Sequence, residues 1–384
     1  MFAPIGVARA ERSRARLEKW ARAVSIFIFL VKDGVIYRLS YRPLCNWTPG
    51  AAGEQGLVSG MPRSAHGYAS DCGRRFAREA LAAADRDRDC GDVSHRDGCV
   101  ARVQRCHLGR RDVAATKLYA GAFVSVDGTS LAYRRWGTHG TAILLLGGFV
   151  EPSWVWHAVG PLLARRHRVF AIDLPPFGFS ERRGPYTLAR WVQLVEGFAA
   201  RLHLARPVVV GHSLGAAVAI RLGAADPPAV RRIVLLDGDA LPGGGAGWLS
   251  NLLVAPWYTS VYRIVTSSDW IIRRALKDAW GAERPFPTVV VDEFQRPFRV
   301  SGTAAAFQSL LGYGIQGVSP ATLRQVRVPR IVVWGAQDSV DSVGAGRQTA
   351  TLLHARFVLI RRAGHLSMLA APTPVAHAIA AFAG

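Results

Sequence analysis

Residues 208–220 read VVVGHSLGAAVAI and contain the strongest candidate for a catalytic side chain. Three valines lead into GHSLG at residues 211–215, in which His212 fills the variable position, and small helix-forming residues follow. A G-x-S-x-G pattern between a buried strand and an Ala-rich helix is typical of a sharp turn, whose two glycines remove side chains that would collide with the serine backbone. The turn exposes the hydroxyl at a helix N-terminus, which favours developing negative charge. This setting disfavours a chance match, so we predict that Ser213 is a nucleophile.

A serine hydroxyl needs a base to become nucleophilic, and the base needs an acidic side chain to orient it. Residues 331–338 read IVVWGAQD and residues 357–365 read FVLIRRAGH, so each is a strand-like run followed by a loop that ends in a polar residue. Asp338 and His365 therefore follow the carboxyl ends of strands, at the same edge as Ser213, where open α/β sheets form their sites. The chain order serine, acid, histidine is also the expected one. We predict His365 as the base and Asp338 as the acid.

Other aspartates could supply the carboxylate. Asp237 is the alternative acid, because it ends the strand-like run at residues 233–237 and would reach the same edge. Asp341 is also close to that edge. Asp173 ends another strand-like run, but it begins the turn DLPPFG and is expected to shape that loop.

Acyl transfer at a serine also requires N–H donors for the oxyanion that forms on the substrate carbonyl. We predict the backbone N–H of Leu214, directly after the serine, as one donor. The second donor is expected in the loop after the strand-like run at residues 142–146, where Gly147 and Gly148 let the backbone approach closely. We assign this second donor to the N–H of Phe149.

The elements around these residues predict an α/β fold. Asp127-Gly128 joins strand-like runs at residues 122–126 and 131–136 and is a strong hairpin signal. Continuous runs of Val, Ile and Leu then alternate with helical segments, as in parallel strands that are buried on both faces. These runs are at residues 142–146, 169–173, 208–210, 233–237, 331–334 and 357–360. We therefore predict a doubly wound, mostly parallel eight-stranded sheet that begins with an antiparallel pair.

The chain consists of two unlike parts, and its composition changes near residue 120. All five cysteines precede residue 121, and residues 83–98 are dense in charge and turn formers. Such a segment cannot bury enough apolar surface to offset the entropy lost on ordering. We predict an N-terminal extension at residues 1–120, disordered or loosely structured, followed by one α/β domain at residues 121–384. An alternative is that residues 1 to about 115 are not a natural domain, because the reading frame was extended upstream of the true start.

The extension contains four side chains that could suggest a zinc site: Cys90, Cys99, Cys106 and His107. Their spacing lacks the Cys-x-x-Cys pairs of structural zinc sites. The odd number of cysteines also argues against a closed disulfide framework. No metal site is predicted.

The formal net charge of +21 raises the question of a nucleic-acid partner, since clustered Lys and Arg bind phosphates. Here the arginine pairs are scattered along the chain, and we expect no specific nucleic-acid partner. No apolar run reaches the ~18 residues of a membrane span; the longest, residues 23–31, follows an Arg-rich start without a small-residue cleavage site. A cytoplasmic location is expected, with secretion as the alternative. The sequence indicates no oligomeric state.

Residues from Phe123 to about Phe382 resemble the α/β-hydrolase superfamily, in particular its branch of capped, cofactor-free serine hydrolases and esterases. The matching segments, in the order of the family, are LLLGGF at 144–149, AIDLPPFGFS at 171–180, VVVGHSLG at 208–215, RVPRIVVWGAQD at 327–338 and AGHLSMLAAP at 363–372. The resemblance implies that Ser213 attacks a carbonyl, that His365 takes and returns the proton, and that water hydrolyses the acyl-enzyme. Gly147 departs from the pattern, since such proteins usually have histidine there, and the departure predicts a more mobile oxyanion loop.

The resemblance also implies a helical cap over the site, an insertion at about residues 239–318 that begins with glycines at 243–245 and is rich in Trp, Tyr and Phe. These aromatic side chains would line an apolar pocket, pack the cap on the core, or do both. We expect a cofactor-free hydrolase of a small to medium apolar carboxylic ester. Alternatives are C–C bond or amide hydrolysis, perhydrolase activity, or a non-catalytic protein that binds a small molecule. Haloalkane dehalogenases and epoxide hydrolases are disfavoured, because they need Asp in place of Ser213.

Overall fold

The computed structural model describes residues 113–242, 258–281 and 286–384, together with two short strands, β1 (Leu30–Lys32) and β2 (Val35–Tyr37). The chain divides into two units, and residues 27–109 form the smaller one. There β1 and β2 pair antiparallel, with Val31 opposite Ile36. The five cysteines, His107 and the glycines at 243–245 lie outside the described residues. Apart from β1 and β2, so does the predicted disordered extension before residue 113.

The larger unit contains a sheet of eight strands: β3 (Ala122–Val126), β4 (Thr129–Trp136), β5 (Ala142–Leu146), β6 (Arg168–Ile172), β7 (Val208–His212), β8 (Arg232–Leu236), β9 (Arg330–Gly335) and β10 (Arg356–Ile360). Their order across the sheet is β10-β9-β8-β7-β5-β6-β4-β3. Strand β4 pairs antiparallel with β3 and β6, and the other neighbours are parallel. The predicted mostly parallel eight-stranded sheet is thus confirmed.

Local sequence explains the hairpin at one edge of this sheet and the burial of its central strands. Asp127 and Gly128 both have positive φ, 46° and 70°, which is the backbone of the two-residue hairpin predicted between β3 and β4. Every residue of the central strands β5 and β7 is buried, as expected for continuous apolar runs covered on both faces. The parallel strands therefore end together at one edge, where the loops carrying the predicted site residues begin.

The helices of the described residues are α1 (Ala115–Leu118), α2 (Val159–Leu163), α3 (Leu188–Arg201), α4 (Leu214–Ala225), α5 (Tyr258–Ser267), α6 (Asp269–Trp280), α7 (Thr288–Gln295), α8 (Thr303–Tyr313), α9 (Pro320–Gln325), α10 (Val343–Leu353), α11 (Ser367–Ala370) and α12 (Pro372–Ala383). Helix α4 packs on β7, β8 and α3, and α2 packs on α12. Short 3-10 helices occur at Ser153–Trp156, Pro227–Ala229 and Arg296–Arg299. None of the helices that the structure describes is long and apolar enough to cross a membrane.

The connection between β8 and β9 is the predicted helical insertion, and α5 to α8 lie within it. Its limits at about 239 and 318 remain a prediction. Helix α6 shows why the segment is helical. Ser268 caps its N-terminus by accepting a hydrogen bond from the N–H of Ile271, and apolar side chains recur on one face, where Ile272, Ala275 and Ala279 are buried.

The described chain of the larger unit begins at Val113, so eight residues of the predicted extension, 113–120, are seen against the fold. Val113 forms a parallel bridge with Val300 of the insertion. Tyr119 is 5% exposed and stacks on Phe179, with ring centroids 4.9 Å apart. Residues 113–120 therefore contact both the insertion and the loop that follows β6. The boundary at residue 120 remains a prediction.

Candidate active site

Ser213 lies between β7 and α4 in a strained backbone conformation, with φ 49° and ψ −115°. A Cβ atom on Gly211 would lie 2.2 Å from the carbonyl oxygen of Gly215, and one on Gly215 would lie 2.7 Å from that of Leu146. Both positions therefore require glycine. The N–H of Ser213 donates to the carbonyl of Leu236 on the neighbouring strand, at 3.0 Å, which fixes the turn to the sheet. The side chain is half-buried at the carboxyl edge of the sheet.

His365 and Asp338 meet at this edge. Nδ1 of His365 lies 2.9 Å from Oδ2 of Asp338, and both side chains are buried. The other carboxylate oxygen, Oδ1, accepts hydrogen bonds from the N–H groups of Val340 and Asp341, both at 2.8 Å. The loop after β9 thus holds the carboxylate with one oxygen directed at the imidazole, which leaves Nε2 as the ring nitrogen that can accept a proton from a hydroxyl.

Opposing effects act on the pKa of His365. Burial lowers this pKa, but the charge and hydrogen bond of Asp338 raise it more, with smaller contributions from Asp341 and Asp237, so that the pKa rises to about 10. The imidazole is therefore a strong base, and its neutral form becomes more abundant as the pH rises above neutrality.

Asp237, the alternative acid, has other partners. Its Oδ1 accepts the N–H of Gly335 at 2.6 Å, and its Oδ2 accepts the hydroxyl hydrogen of Ser367. Burial raises the pKa of Asp237 to about 7. The structure therefore places Asp237 between β8, β9 and α11, whereas it brings Asp338 to Nδ1 of His365. Asp173 shapes its own loop as expected, with its carboxylate accepting the N–H groups of Ser153 and Phe179.

The predicted oxyanion loop lies against Ser213. A Cβ on Gly148 would lie 2.8 Å from Cβ of Ser213, so only glycine allows this approach. Leu214 is the first residue of α4. The ring of Phe149 contacts the rings of Phe177 and Phe307, with centroids 5.4 and 6.0 Å apart. Both residues predicted to donate to the oxyanion are thus next to Ser213 or in the loop that contacts it.

Two buried polar residues, Glu151 and His212, lie beside Ser213, and sequence reasoning assigned a role to neither of them. Glu151, 6% exposed, has Oε2 2.9 Å from Nδ1 of His212, which is fully buried. The same Oε2 accepts the N–H of Gly148 at 2.6 Å, so the loop predicted to be more mobile is held by a carboxylate. Burial lowers the pKa of His212, but Glu151 raises it more, and the net shift is upward. A glutamate in an irregular loop follows no periodic pattern, and no sequence signal indicates its partner.

Helix α6 of the insertion contacts the two loops that carry the predicted base, His365, and the predicted acid, Asp338. The carbonyls of Trp280 and Ala279 accept the N–H groups of Gly364 and Leu366, the two neighbours of His365, each at 3.0 Å. The hydroxyl of Ser339 donates to the carbonyl of Asp278 at 2.5 Å. The last carbonyls of a helix have no partner within it, and here the N–H groups on either side of His365 satisfy two of them. The insertion is therefore bound directly to the loop that carries His365.

Aromatic side chains of the insertion reach the same edge of the sheet. Phe307 of α8 contacts Phe149 and Phe177 on the sheet side, and Tyr262 and Phe298 within the insertion, with centroids between 5.7 and 6.0 Å apart. Edge-on and tilted rings at these distances pack favourably. Aromatic side chains of the insertion therefore pack against the predicted oxyanion loop at Phe149.

A serine on a strand-turn-helix bend, with a histidine and a carboxylate on later loops of a mostly parallel eight-stranded sheet, defines an α/β hydrolase. The chain belongs to the alpha/beta hydrolase family, whose model matches residues 139–378. It is 23% identical over 262 residues to the hydrolase YugF of Bacillus subtilis, covering 67% of this chain and 96% of that protein.

Two further similarities agree with this family. The chain is 26% identical over 280 residues to the 2-hydroxy-6-oxo-6-(2'-aminophenyl)hexa-2,4-dienoic acid hydrolase of Metapseudomonas resinovorans, covering 69% of this chain and 91% of that one. A thermophilic esterase from Thermogutta terrifontis has the same fold, with a TM-score of 0.58 and 23% identity over 67% of this chain and 97% of its own. The chain is thus an enzyme of a hydrolase family.

Proposed function

We propose that this protein is a serine hydrolase that cleaves a small to medium apolar carboxylic ester through an acyl-enzyme. The observation that carries the proposal is the 2.9 Å contact between His365 and Asp338, on the sheet edge where Ser213 occupies its strained turn. A nucleophile, a base and an orienting acid from three separate loops are the elements that acyl transfer requires.

In the proposed reaction, Oγ of Ser213 attacks the ester carbonyl carbon while its proton passes to Nε2 of His365. Asp338 stabilises the imidazolium through Nδ1, and the N–H groups of Leu214 and Phe149 receive the oxyanion. The carbon–oxygen bond then breaks, and the alcohol leaves with the proton from His365. Water gives a proton to His365 and attacks the acyl carbon, and the serine is released with its proton while the carboxylic acid leaves.

The aromatic contacts around Phe307 favour an apolar acyl or alcohol group in the substrate. Such rings offer no charged partner for a polar group, and apolar surface buried there contributes roughly 25 cal/mol per Å². A chain-length series of p-nitrophenyl esters tests this point, since binding should strengthen from acetate to butyrate and fall again when the acyl chain exceeds the space.

The first test compares the wild type with Ser213→Ala on a short-chain p-nitrophenyl ester. The expected result is a loss of kcat on the order of 10⁴-fold or more, because no other hydroxyl is held at the turn. Ser125→Ala on the exposed face of edge strand β3 is the matched control and should keep full activity. A fluorophosphonate probe should label the wild type, and peptide mapping should locate the label on Ser213. Equal rates for wild type and Ser213→Ala would contradict the serine mechanism.

A second candidate is hydrolysis of a carbon–carbon bond by the same three residues. It is favoured by the similarity to the hexadienoic acid hydrolase, a relative that spans most of the domain. A 2-hydroxy-6-oxohexa-2,4-dienoic acid, assayed in parallel with the esters, distinguishes the two reactions. Turnover of that acid at a kcat/KM at least tenfold above the best ester would favour the second candidate.

A further inference from the structure

We propose that Glu151 and His212 form a buried proton-sharing pair that positions the oxyanion loop, the nucleophile turn and the backbone of the base together. The proposal rests on the hydrolase function proposed above. Both are positioning residues, since they act on Gly148, Ser213 and His365 rather than on the substrate.

The geometry joins three loops through two side chains. Oε2 of Glu151 accepts the N–H of Gly148 at 2.6 Å and lies 2.9 Å from Nδ1 of His212. Nε2 of His212 lies 2.8 Å from the carbonyl oxygen of His365. His212 directly precedes Ser213, so one imidazole links the nucleophile turn to the oxyanion loop on one side and to the base on the other.

The partners fix where the protons lie. A carbonyl oxygen can only accept a hydrogen bond, so Nε2 of His212 carries a proton toward His365. The contact between Nδ1 and Oε2 then holds one further proton, on the imidazole or on the carboxyl group. In either case the pair has no net charge, which removes most of the cost of burying two ionisable groups. The raised pKa of His212 favours the imidazolium–carboxylate form.

Each link has a consequence for the reaction. Gly148 approaches Ser213 so closely that a Cβ would collide, and its N–H bond to Glu151 holds the peptide between Gly147 and Gly148, directly before the predicted donor Phe149. The base is held at its carbonyl by His212, while α6 binds the N–H groups of its two neighbours. Errors of about 1 Å at such positions cost on the order of 10²-fold in rate.

The imidazole also affects the base electrostatically. The rings of His212 and His365 are 4.9 Å apart between centroids, so a positive His212 disfavours a second positive charge on His365. The carboxylates that face this pair are Glu151, Asp237, Asp338 and Asp341, and Oδ2 of Asp237 lies 3.9 Å from Nε2 of His212. Removing the imidazole should therefore make His365 easier to protonate.

Two substitutions of His212 each remove one of its two contacts, the one with Glu151 or the one with the His365 carbonyl. His212→Asn keeps a polar group near Glu151 but is too short to reach the His365 carbonyl, whereas His212→Gln reaches toward that carbonyl and loses Glu151. Both should lower kcat by about tenfold to a hundredfold, with KM within about twofold of wild type. Both should also move the acidic limb of the pH–kcat profile upward. Glu151→Gln should lower kcat similarly.

The matched control is His167→Asn, a buried histidine at the amino end of β6, on the opposite edge of the sheet. Assays run well below each melting temperature, checked by circular dichroism, so that unfolding does not enter kcat. If both His212 variants keep a kcat within twofold of the His167→Asn protein and an unmoved acidic limb, the positioning role is wrong.

A second measurement does not depend on activity. Nitrogen-15 NMR of the whole chain, labelled at histidine, should show that Nε2 of His212 is protonated at neutral pH. The signal is assigned by its loss in His212→Asn. The Ser213→Ala protein should give the same signal. An unprotonated Nε2 would overturn the pair. If the wild type shows no serine-dependent hydrolysis, the proposed function fails while this measurement still decides the pair.

Discussion

At the residue scale, the pH dependence of the proposed reaction depends on His365. Its base function needs the neutral imidazole, and Asp338 raises the pKa above the ordinary 6.5. The kcat/KM of the wild type should therefore rise with pH and reach half its plateau clearly above pH 6.5. A pH–rate profile between pH 5 and pH 10, with an ester corrected for spontaneous hydrolysis, should still be rising at its alkaline end, and a plateau reached by pH 7 would contradict the raised pKa.

Asp338→Asn should change both features of the profile. The variant removes the negative charge that favours the imidazolium, so the acidic limb should move down toward the ordinary pKa of histidine. The amide oxygen should keep accepting the N–H groups of Val340 and Asp341, so the NH2 group faces Nδ1 of His365 as a donor. The imidazole is then held in the wrong tautomer, and kcat should fall by about 10³ to 10⁴-fold. Asp237→Asn is the matched control, with an expected fall within about tenfold. A larger loss in Asp237→Asn than in Asp338→Asn would make Asp237 the acid.

The strand ends made the positions of Ser213, His365 and Asp338 predictable, because loops that follow parallel strands gather at one edge. The sequence predicted Asp338 as the acid but left Asp237 as an alternative, since Asp237 directly follows a strand and Asp338 follows one closely. That choice depends on backbone hydrogen bonds from Gly335 and Val340, which no periodic pattern records. Glu151 was missed for the same reason.

At the element scale, the strands could be predicted to within one or two residues, because continuous apolar runs reflect burial on both faces. Their ends differ slightly: the run at residues 169–173 is observed as Arg168–Ile172, and that at 208–210 extends to His212. The ladder of hydrogen bonds sets these limits. The insertion could be predicted as helical, but not that the last turn of α6 would bind the His365 loop.

This contact makes Gly281, the residue after α6, sensitive to substitution. Its backbone has φ 93° and ψ 163°, a conformation that side chains disfavour, and a Cβ would lie 2.7 Å from the backbone nitrogen of Gly364. Gly281→Ala should therefore lower the free energy of unfolding by about 1–3 kcal/mol. It should also lower kcat, since the displaced loop carries His365. Urea denaturation and ester kinetics on one preparation measure both effects.

A glycine in another helix of the insertion provides the control. Gly312 lies within α8, and a Cβ there would meet nothing within 4 Å. Gly312→Ala should leave kcat unchanged and stabilise the protein by up to about 1 kcal/mol, because alanine has less conformational entropy to lose in a helix. A Gly281→Ala protein as stable and as active as Gly312→Ala would contradict the coupling between α6 and the His365 loop.

At the scale of the whole molecule, part of the positive charge serves internal contacts. Arg182 is half-buried, and its guanidinium donates to the carbonyls of Gly178 and Pro297 at 2.7 and 2.9 Å and to the hydroxyl of Thr303 at 3.0 Å. These acceptors belong to the loop after β6 and to the insertion. An arginine of this kind joins two parts of the fold, so net charge alone is a poor guide to a nucleic-acid partner.

The contacts of residues 113–120 bear on where the stable folding unit begins. The sequence places the start of the domain at residue 121, but Tyr119 packs against Phe179 and Phe123, and Val113 pairs with Val300. A chain of residues 121–384 should therefore be less stable than one of residues 113–384, by about 3 kcal/mol, the scale of an aromatic side chain removed from a core. Thermal melting of the two purified chains measures the difference.

Tyr119→Ala in the longer chain separates the side chain from the backbone bridge. Since the ring accounts for the stacking on Phe179 and for the guanidinium of Arg134 5.4 Å from its centroid, this variant should reproduce most of the loss. The bridge between Val113 and Val300 joins the segment to the insertion, so any further loss in the shorter chain measures this backbone contact. Equal melting temperatures for residues 113–384 and 121–384 would show that the sequence boundary at 121 is the correct one.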